Sequence, residues 1–182
     1  MKITKSKNDR ILVIGCSGSG KSTLTRELIS ILKLPALHLD RIWHTTNYDE
    51  EAQQLLKQAQ LDFINDNECF IIDGNYSGTM NLRIPHANLI IWLRVPRSVS
   101  MYRVIMRTIK GKLGLEKRSD MAEEFKEKFD REYLEFLRFV WNFEKANIPK
   151  IKAALEKRNA DCRLVIIKNK KDKAKLIKEL VR

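Results

Sequence analysis

Five short apolar runs recur along the chain, and residues at helical spacing fill the intervals between them. The runs are Ile11-Leu12-Val13-Ile14, Ala36-Leu37-His38-Leu39-Asp40, Cys69-Phe70-Ile71-Ile72-Asp73, Ala87-Asn88-Leu89-Ile90-Ile91-Trp92-Leu93 and Arg163-Leu164-Val165-Ile166-Ile167. Runs that are largely continuous rather than alternating belong to strands covered on both faces, as in a parallel sheet. Leu24, Leu28, Ile31 and Leu32 predict a first helix, which Lys33-Leu34-Pro35 breaks. A second helix is expected from about Tyr48 to Asn65, with Asn47 and Glu50 as capping pair and Ala52, Leu55, Leu56, Ala59 and Phe63 on its buried face. Asn81-Leu82-Arg83-Ile84-Pro85 reads as a short helical piece presenting Arg83. Pro96 opens a further helix with a stripe of Val99, Tyr102, Met106 and Ile109. Asp120 and Glu123 cap a long helix carrying Phe125, Phe129, Phe136, Leu137, Val140 and Trp141 as core. Pro149 is expected to end it, with another helix reaching Arg158 and a lysine-rich helix closing the chain. Alternating strands and helices predict an α/β fold of three layers.

The first strand–helix junction carries the clearest chemistry. Gly15-Cys16-Ser17-Gly18-Ser19-Gly20-Lys21-Ser22 fits G-x-x-x-x-G-K-[ST], the phosphate-binding P-loop, in the strand–loop–helix setting that the motif requires. Glycines let the backbone curl so that successive N–H groups converge on phosphate oxygens at a helix N-terminus. Residues Gly15 to Ser22, with Thr23 following, are therefore the expected nucleotide site. Lys21 would reach the β- and γ-phosphates, and Ser22 would offer its hydroxyl to Mg²⁺. Binding of a nucleoside triphosphate, ATP with Mg²⁺, follows.

Other candidates lie at the ends of the later runs, where α/β proteins bind ligands. Asp73 ends a hydrophobic run, as in a Walker B segment, and would hold Mg²⁺ through water. Asp40 ends the second run and is a candidate ligand-site carboxylate for the same reason. His38 is either a packed strand histidine or a general base. Arg103 and Arg107 are i,i+4 neighbours and share a helix face; they read either as solvated charges of an amphipathic helix or as a clamp on a transferring phosphoryl group. Gly111 to Arg118 is a basic, glycine-bearing loop, so residues 111–120 are expected to form a short lid, with Arg118 above the phosphates.

Composition narrows the class. The 182 residues suit a single domain spanning 1–182, and no apolar run approaches the ~20 residues of a membrane span. The basic N-terminus lacks a signal-peptide core, so a cytoplasmic location is expected. Cys16, Cys69 and Cys162 have no paired spacing and read as reduced thiols. Cys16 sits at a helix N-terminus, where its pKa is either lowered or left aside by simple space-filling. The net charge of +12 suits phosphate-bearing partners, a nucleotide or a nucleic acid. Much of the excess lies on Lys168, Lys170, Lys171, Lys173, Lys175 and Lys178.

Taken together, the P-loop, His38-Leu39-Asp40, Ile72-Asp73-Gly74-Asn75-Tyr76, Tyr102-Arg103-Val104, Arg118-Ser119-Asp120-Met121 and Trp141-Asn142-Phe143 resemble the DNA topology modulation (FlaR-like) proteins. These are small P-loop relatives of adenylate and shikimate kinases. The resemblance implies the nucleoside-monophosphate-kinase fold, a five-stranded parallel sheet of order 2-3-1-4-5, with ATP and Mg²⁺. Asp73-Gly74 matches the Asp-Gly of adenylate kinase, but Asn75 and Tyr76 replace its following Phe-Pro-Arg, which counts against AMP as acceptor. Arg83 is a possible substitute for the missing arginine. The expected activity is phosphoryl transfer from ATP to a small molecule or nucleotide. Lys21, Arg103, Arg107 and Arg118 would stabilise charge, with Asp40 at the acceptor and Asn75, Tyr76 and Arg83 lining its pocket. The alternative is an ATP-dependent nucleic-acid-binding protein whose basic surface meets DNA.

Overall fold

The computed structural model describes residues 9–46, 49–113 and 130–181. Asn47, Arg118, Asp120, Glu123, Phe125, Phe129 and the expected lid beyond Leu113 lie outside the described residues. Five parallel strands, β1 (Arg10–Gly15), β2 (Ala36–His38), β3 (Phe70–Asp73), β4 (Leu89–Leu93) and β5 (Arg163–Ile167), form one sheet in the order β2-β3-β1-β4-β5. The strand order is the one that the family resemblance implied. Alternate residues of the central strands feed two cores. Leu12, Ile14, Phe70, Ile72, Ile90 and Trp92 face one layer of helices, and Ile11, Val13, Ile71, Leu89, Ile91 and Leu93 face the other. Burial on both faces is why these runs are continuous in sequence.

Among the described residues six α-helices lie between the strands and a seventh follows the last: α1 (Lys21–Leu32), α2 (Leu39–Trp43), α3 (Glu50–Asp66), α4 (Met80–Arg83), α5 (Arg97–Lys112), α6 (Arg131–Leu155) and α7 (Lys170–Leu180). None is long and apolar enough to cross a membrane. Several depart from expectation. The second strand stops at His38, and Asp40 lies in the first turn of α2 rather than at a strand end. Leu39 is fully buried against Gly74, where a Cβ would stand 2.8 Å from the Leu39 Cβ, so the chain turns there. Asp49, not Asn47, caps α3, its side chain accepting from the Ala52 N–H at 2.8 Å. The buried stripe of α3 is Ala52, Leu56, Gln60 and Ile64, a strict i+4 row that includes a glutamine and leaves Leu55 exposed.

Helix α5 buries Ser100, Val104 and Thr108 instead of the expected stripe, and Tyr102 is 65% exposed. The P-loop approaches this helix closely at Ser100 and Val104. A Cβ on Gly18 would meet the Ser100 carbonyl oxygen at 2.3 Å and Val104 Cγ2 at 3.0 Å. Helix α6 runs through Pro149 without ending. Proline costs the helix one hydrogen bond, but Phe143, Asn147, Ile151, Ala154 and Leu155 are buried on both sides of it, and that packing outweighs the local break. Trp141, expected in the core, is 43% exposed, with the Arg97 guanidinium 4.2 Å from its ring centroid.

Candidate active site

The P-loop is a backbone cradle. Gly15, Gly18 and Gly20 adopt φ of 147°, 75° and 99°, values that side chains rarely tolerate. Gly20 precedes α1, whose first turn has no side-chain cap and no acidic residue. The positive end of α1 is thus left to a ligand, as anion sites require. The Lys21 side chain is buried at the loop and donates from Nζ to the Cys16 carbonyl at 3.1 Å. Ser22 is half-buried one residue on, and Thr23 is exposed. Arg103 reaches in from α5, donating from Nη1 to the carbonyls of Ser19 at 3.1 Å and Gly18 at 3.4 Å. Arg107, one turn later, is half-buried.

Cys16 fills space. Its Sγ lies 3.8 Å from the Val140 carbonyl of α6, and burial pushes its thiol up to about 11 despite nearby Lys21. The helix N-terminus does not activate it, because desolvation of the thiolate outweighs the favourable charge.

Beside the loop, β3 delivers Asp73 in register with Val13 of β1 and His38 of β2. The Asp73 carboxylate is buried, and its Oδ2 lies 3.1 Å from His38 Nδ1. Its Oδ1 is buried with no hydrogen-bond partner. A buried carboxylate oxygen is costly when unmet, so an unpartnered one beside a phosphate cradle suits a hydrated cation. The structure brings His38 to Asp73.

Asp40 and Tyr76 form a second pair. The Tyr76 hydroxyl donates to Asp40 Oδ1 at 2.9 Å, and its ring tilts against Trp43 with centroids 5.8 Å apart. Tyr76 has φ 23°, an uncommon backbone state for a bulky residue. Asn75 is half-buried, with its Oδ1 unpartnered.

Arg83 does not line an open pocket. Its guanidinium is fully buried and bonded to Gln60 Oε1, Thr79 Oγ1 and the carbonyls of Gly74 and Asn75, at 2.8, 3.1, 3.1 and 2.8 Å. A short helix that packs its last residue inward, with Met80 and Ile84 buried beside it, turns Arg83 away from any acceptor. Gln60 and Thr79 were missed by sequence reasoning. The available signal was that Gln60 stands in the i+4 row between Leu56 and Ile64, where only a bonded polar group is tolerated.

No protein-family model and no curated protein matches the chain. Solved structures do. Shikimate kinase from Acinetobacter baumannii in complex with shikimate aligns with a TM-score of 0.56 at 14% identity, covering 96% of this chain and 92% of that one. Shikimate kinase from Bacteroides thetaiotaomicron gives 0.54 at 16%, over 94% and 95% of the two chains. A gluconokinase from Sinorhizobium meliloti gives 0.51 at 15%, over 96% and 90%. At these identities the likeness is one of fold, that of the P-loop kinases.

Proposed function

We propose that the protein is a P-loop phosphotransferase that moves the γ-phosphoryl group of Mg-ATP to a small-molecule or nucleotide acceptor. One observation carries this reading. An uncapped phosphate cradle and a buried carboxylate with one unmet oxygen stand at the ends of adjacent strands, β1 and β3. Among the described residues no group of three or more His, Cys, Asp or Glu side chains is placed to hold a metal ion by itself. A magnesium ion carried in on ATP phosphates needs only one or two protein ligands, here the Ser22 hydroxyl and Asp73 through water. Bound there, Mg²⁺ would neutralise charge on the phosphate oxygens.

The chain's own groups do the rest. Amides of Gly15 to Ser22 hold the β-phosphate, and Lys21 exchanges the Cys16 carbonyl for phosphate oxygens. Arg103 and Arg107, with Arg118 assigned from the sequence, surround the charge that spreads over the γ-phosphoryl oxygens. Asp40, oriented by Tyr76, receives the acceptor hydroxyl, and Asn75 borders it. Residues 111–120 act as the lid in this scheme. The test is ADP release from Mg-ATP against a panel of nucleoside monophosphates, nucleosides, polyols and hydroxy acids. Stimulation by one acceptor supports the proposal and names the substrate. A chain that fails to bind ATP refutes it.

The exposed lysines 168, 170, 171, 175 and 178 around α7 favour a second reading, ATP-dependent binding of nucleic acid. Binding to duplex DNA that falls steeply with salt, and flattens when these lysines are neutralised, would support it.

A further inference from the structure

We propose that Arg83 is a positioning residue of the acceptor side: from inside the core it fixes the two peptide planes that follow Asp73, and through them the Tyr76–Asp40 pair. The assignment of an acceptor side rests on the phosphotransferase reading above. The geometry of the guanidinium itself does not.

The fork spends all four of its Nη hydrogens on four different acceptors. Nη1 bonds Gln60 of α3 and Thr79, and Nη2 bonds the carbonyls of Gly74 and Asn75. In a trans peptide the carbonyl and the following N–H point in opposite directions. Pinning the Gly74 and Asn75 carbonyls to Arg83 therefore turns the Asn75 and Tyr76 N–H groups away from it. Thr79 extends the hold, since its hydroxyl lies 3.2 Å from the Tyr76 carbonyl. Tyr76 is thus clamped at both ends of a backbone that its side chain disfavours, with φ 23°. Strain of this kind persists only where the surroundings over-determine it.

The arrangement is costly. Among the described residues no carboxylate pairs with Arg83, its Nε has no partner, and burial pushes its guanidinium down to about 9. An apolar side chain would fill a core position at less cost. What only arginine supplies is a rigid planar fork that spans two consecutive carbonyls and two side chains at once.

The test uses 5-fluorotryptophan, which labels Trp43, Trp92 and Trp141. In Arg83→Lys the Trp43 resonance should shift or split while the other two stay, and amides 74–79 should exchange at least tenfold faster. Affinity for a fluorescent ATP analogue should stay within threefold of the parent chain. An unmoved Trp43 with unchanged exchange overturns the proposal, as does loss of analogue affinity in a folded variant. Should Arg83→Lys collapse all three resonances, Thr79→Val decides, because it removes one bond to the fork at nearly constant shape. A change confined to Trp43 supports the role, and none refutes it. Failure of the parent chain to bind the analogue refutes the phosphotransferase reading alone, and the Trp43 signature still reports on Arg83.

Discussion

Two turns leave the sheet side by side, and each begins with the same backbone device. Gly15 after β1 has φ 147°, and Gly74 after β3 has φ 146°. Beyond that they are built differently. The P-loop is shaped mainly by its own glycines and by close contact with the α5 backbone at Ser100; Lys21 and Arg103 bond only to its carbonyls, and the N-terminus of α1 carries no side-chain cap. The turn from Gly74 to Thr79 is held by side chains gathered from α3, α4 and the turn itself, through Gln60, Arg83 and Thr79. A backbone-built site suits a ligand that is always the same, a polyphosphate. A side-chain-built turn allows the neighbouring pocket to be reshaped without disturbing the first.

The largest break between the two sides is expected at Lys21. Lys21→Ala should lower ADP release by about 10³-fold or more, since it removes the charge that meets developing phosphoryl oxygens, and no variant on the acceptor side should match it. Asp73→Asn comes next, with kcat falling about 10²- to 10³-fold, as for loss of one preorganised electrostatic group, while affinity for the ATP analogue changes little. Retained turnover in either variant would remove that residue from the site.

Gly18→Ala sharpens the contrast in stability. A Cβ there would stand 2.3 Å from the Ser100 carbonyl at φ 75°. The expected loss is about 2–4 kcal/mol, read as a lower denaturant midpoint. On the other turn, Gly78 has nothing within 4 Å, so Gly78→Ala should stay within about 0.5 kcal/mol.

Cys16 tests whether the loop's helix terminus activates a thiol. Burial raises its pKa from 9.0 to about 11. The native state then holds the proton more tightly than the unfolded chain, so this contribution to stability is complete below pH 9 and lost as pH rises through 11. Near pH 8 its thiolate should be about 100-fold scarcer than that of a free thiol, and alkylation by iodoacetamide correspondingly slow. Reaction as fast as free cysteine would show an activated thiol instead.

This division also explains what the sequence could convey. The P-loop and the five runs were legible because local patterns encode them, glycine spacing in one case and two-sided burial in the other. Strand order is not encoded locally; it came from the family resemblance, and the sheet has that order. The roles of Gln60 and Arg83 were illegible, because residues 23 apart and both polar meet only after the sheet has formed. Arg83 read as a substrate contact since charged residues are rarely buried. Pro149 read as a helix end because the local rule holds until packing on both sides overrides it.

Among the variants read by turnover, the smallest effect is expected at Tyr76. Tyr76→Phe removes the hydroxyl that donates to Asp40 at 2.9 Å but keeps the ring against Trp43. If Tyr76 only orients a carboxylate, turnover should fall about tenfold, near 1.4 kcal/mol and at the lower edge of what one hydrogen bond to a charged group contributes. The backbone of the turn, held by Arg83 from beneath, should not move, and the Trp43 resonance should keep its position. A loss of 10³-fold would place the hydroxyl on the reacting groups themselves, and would make the side-chain-built turn as much a part of the chemistry as the phosphate loop.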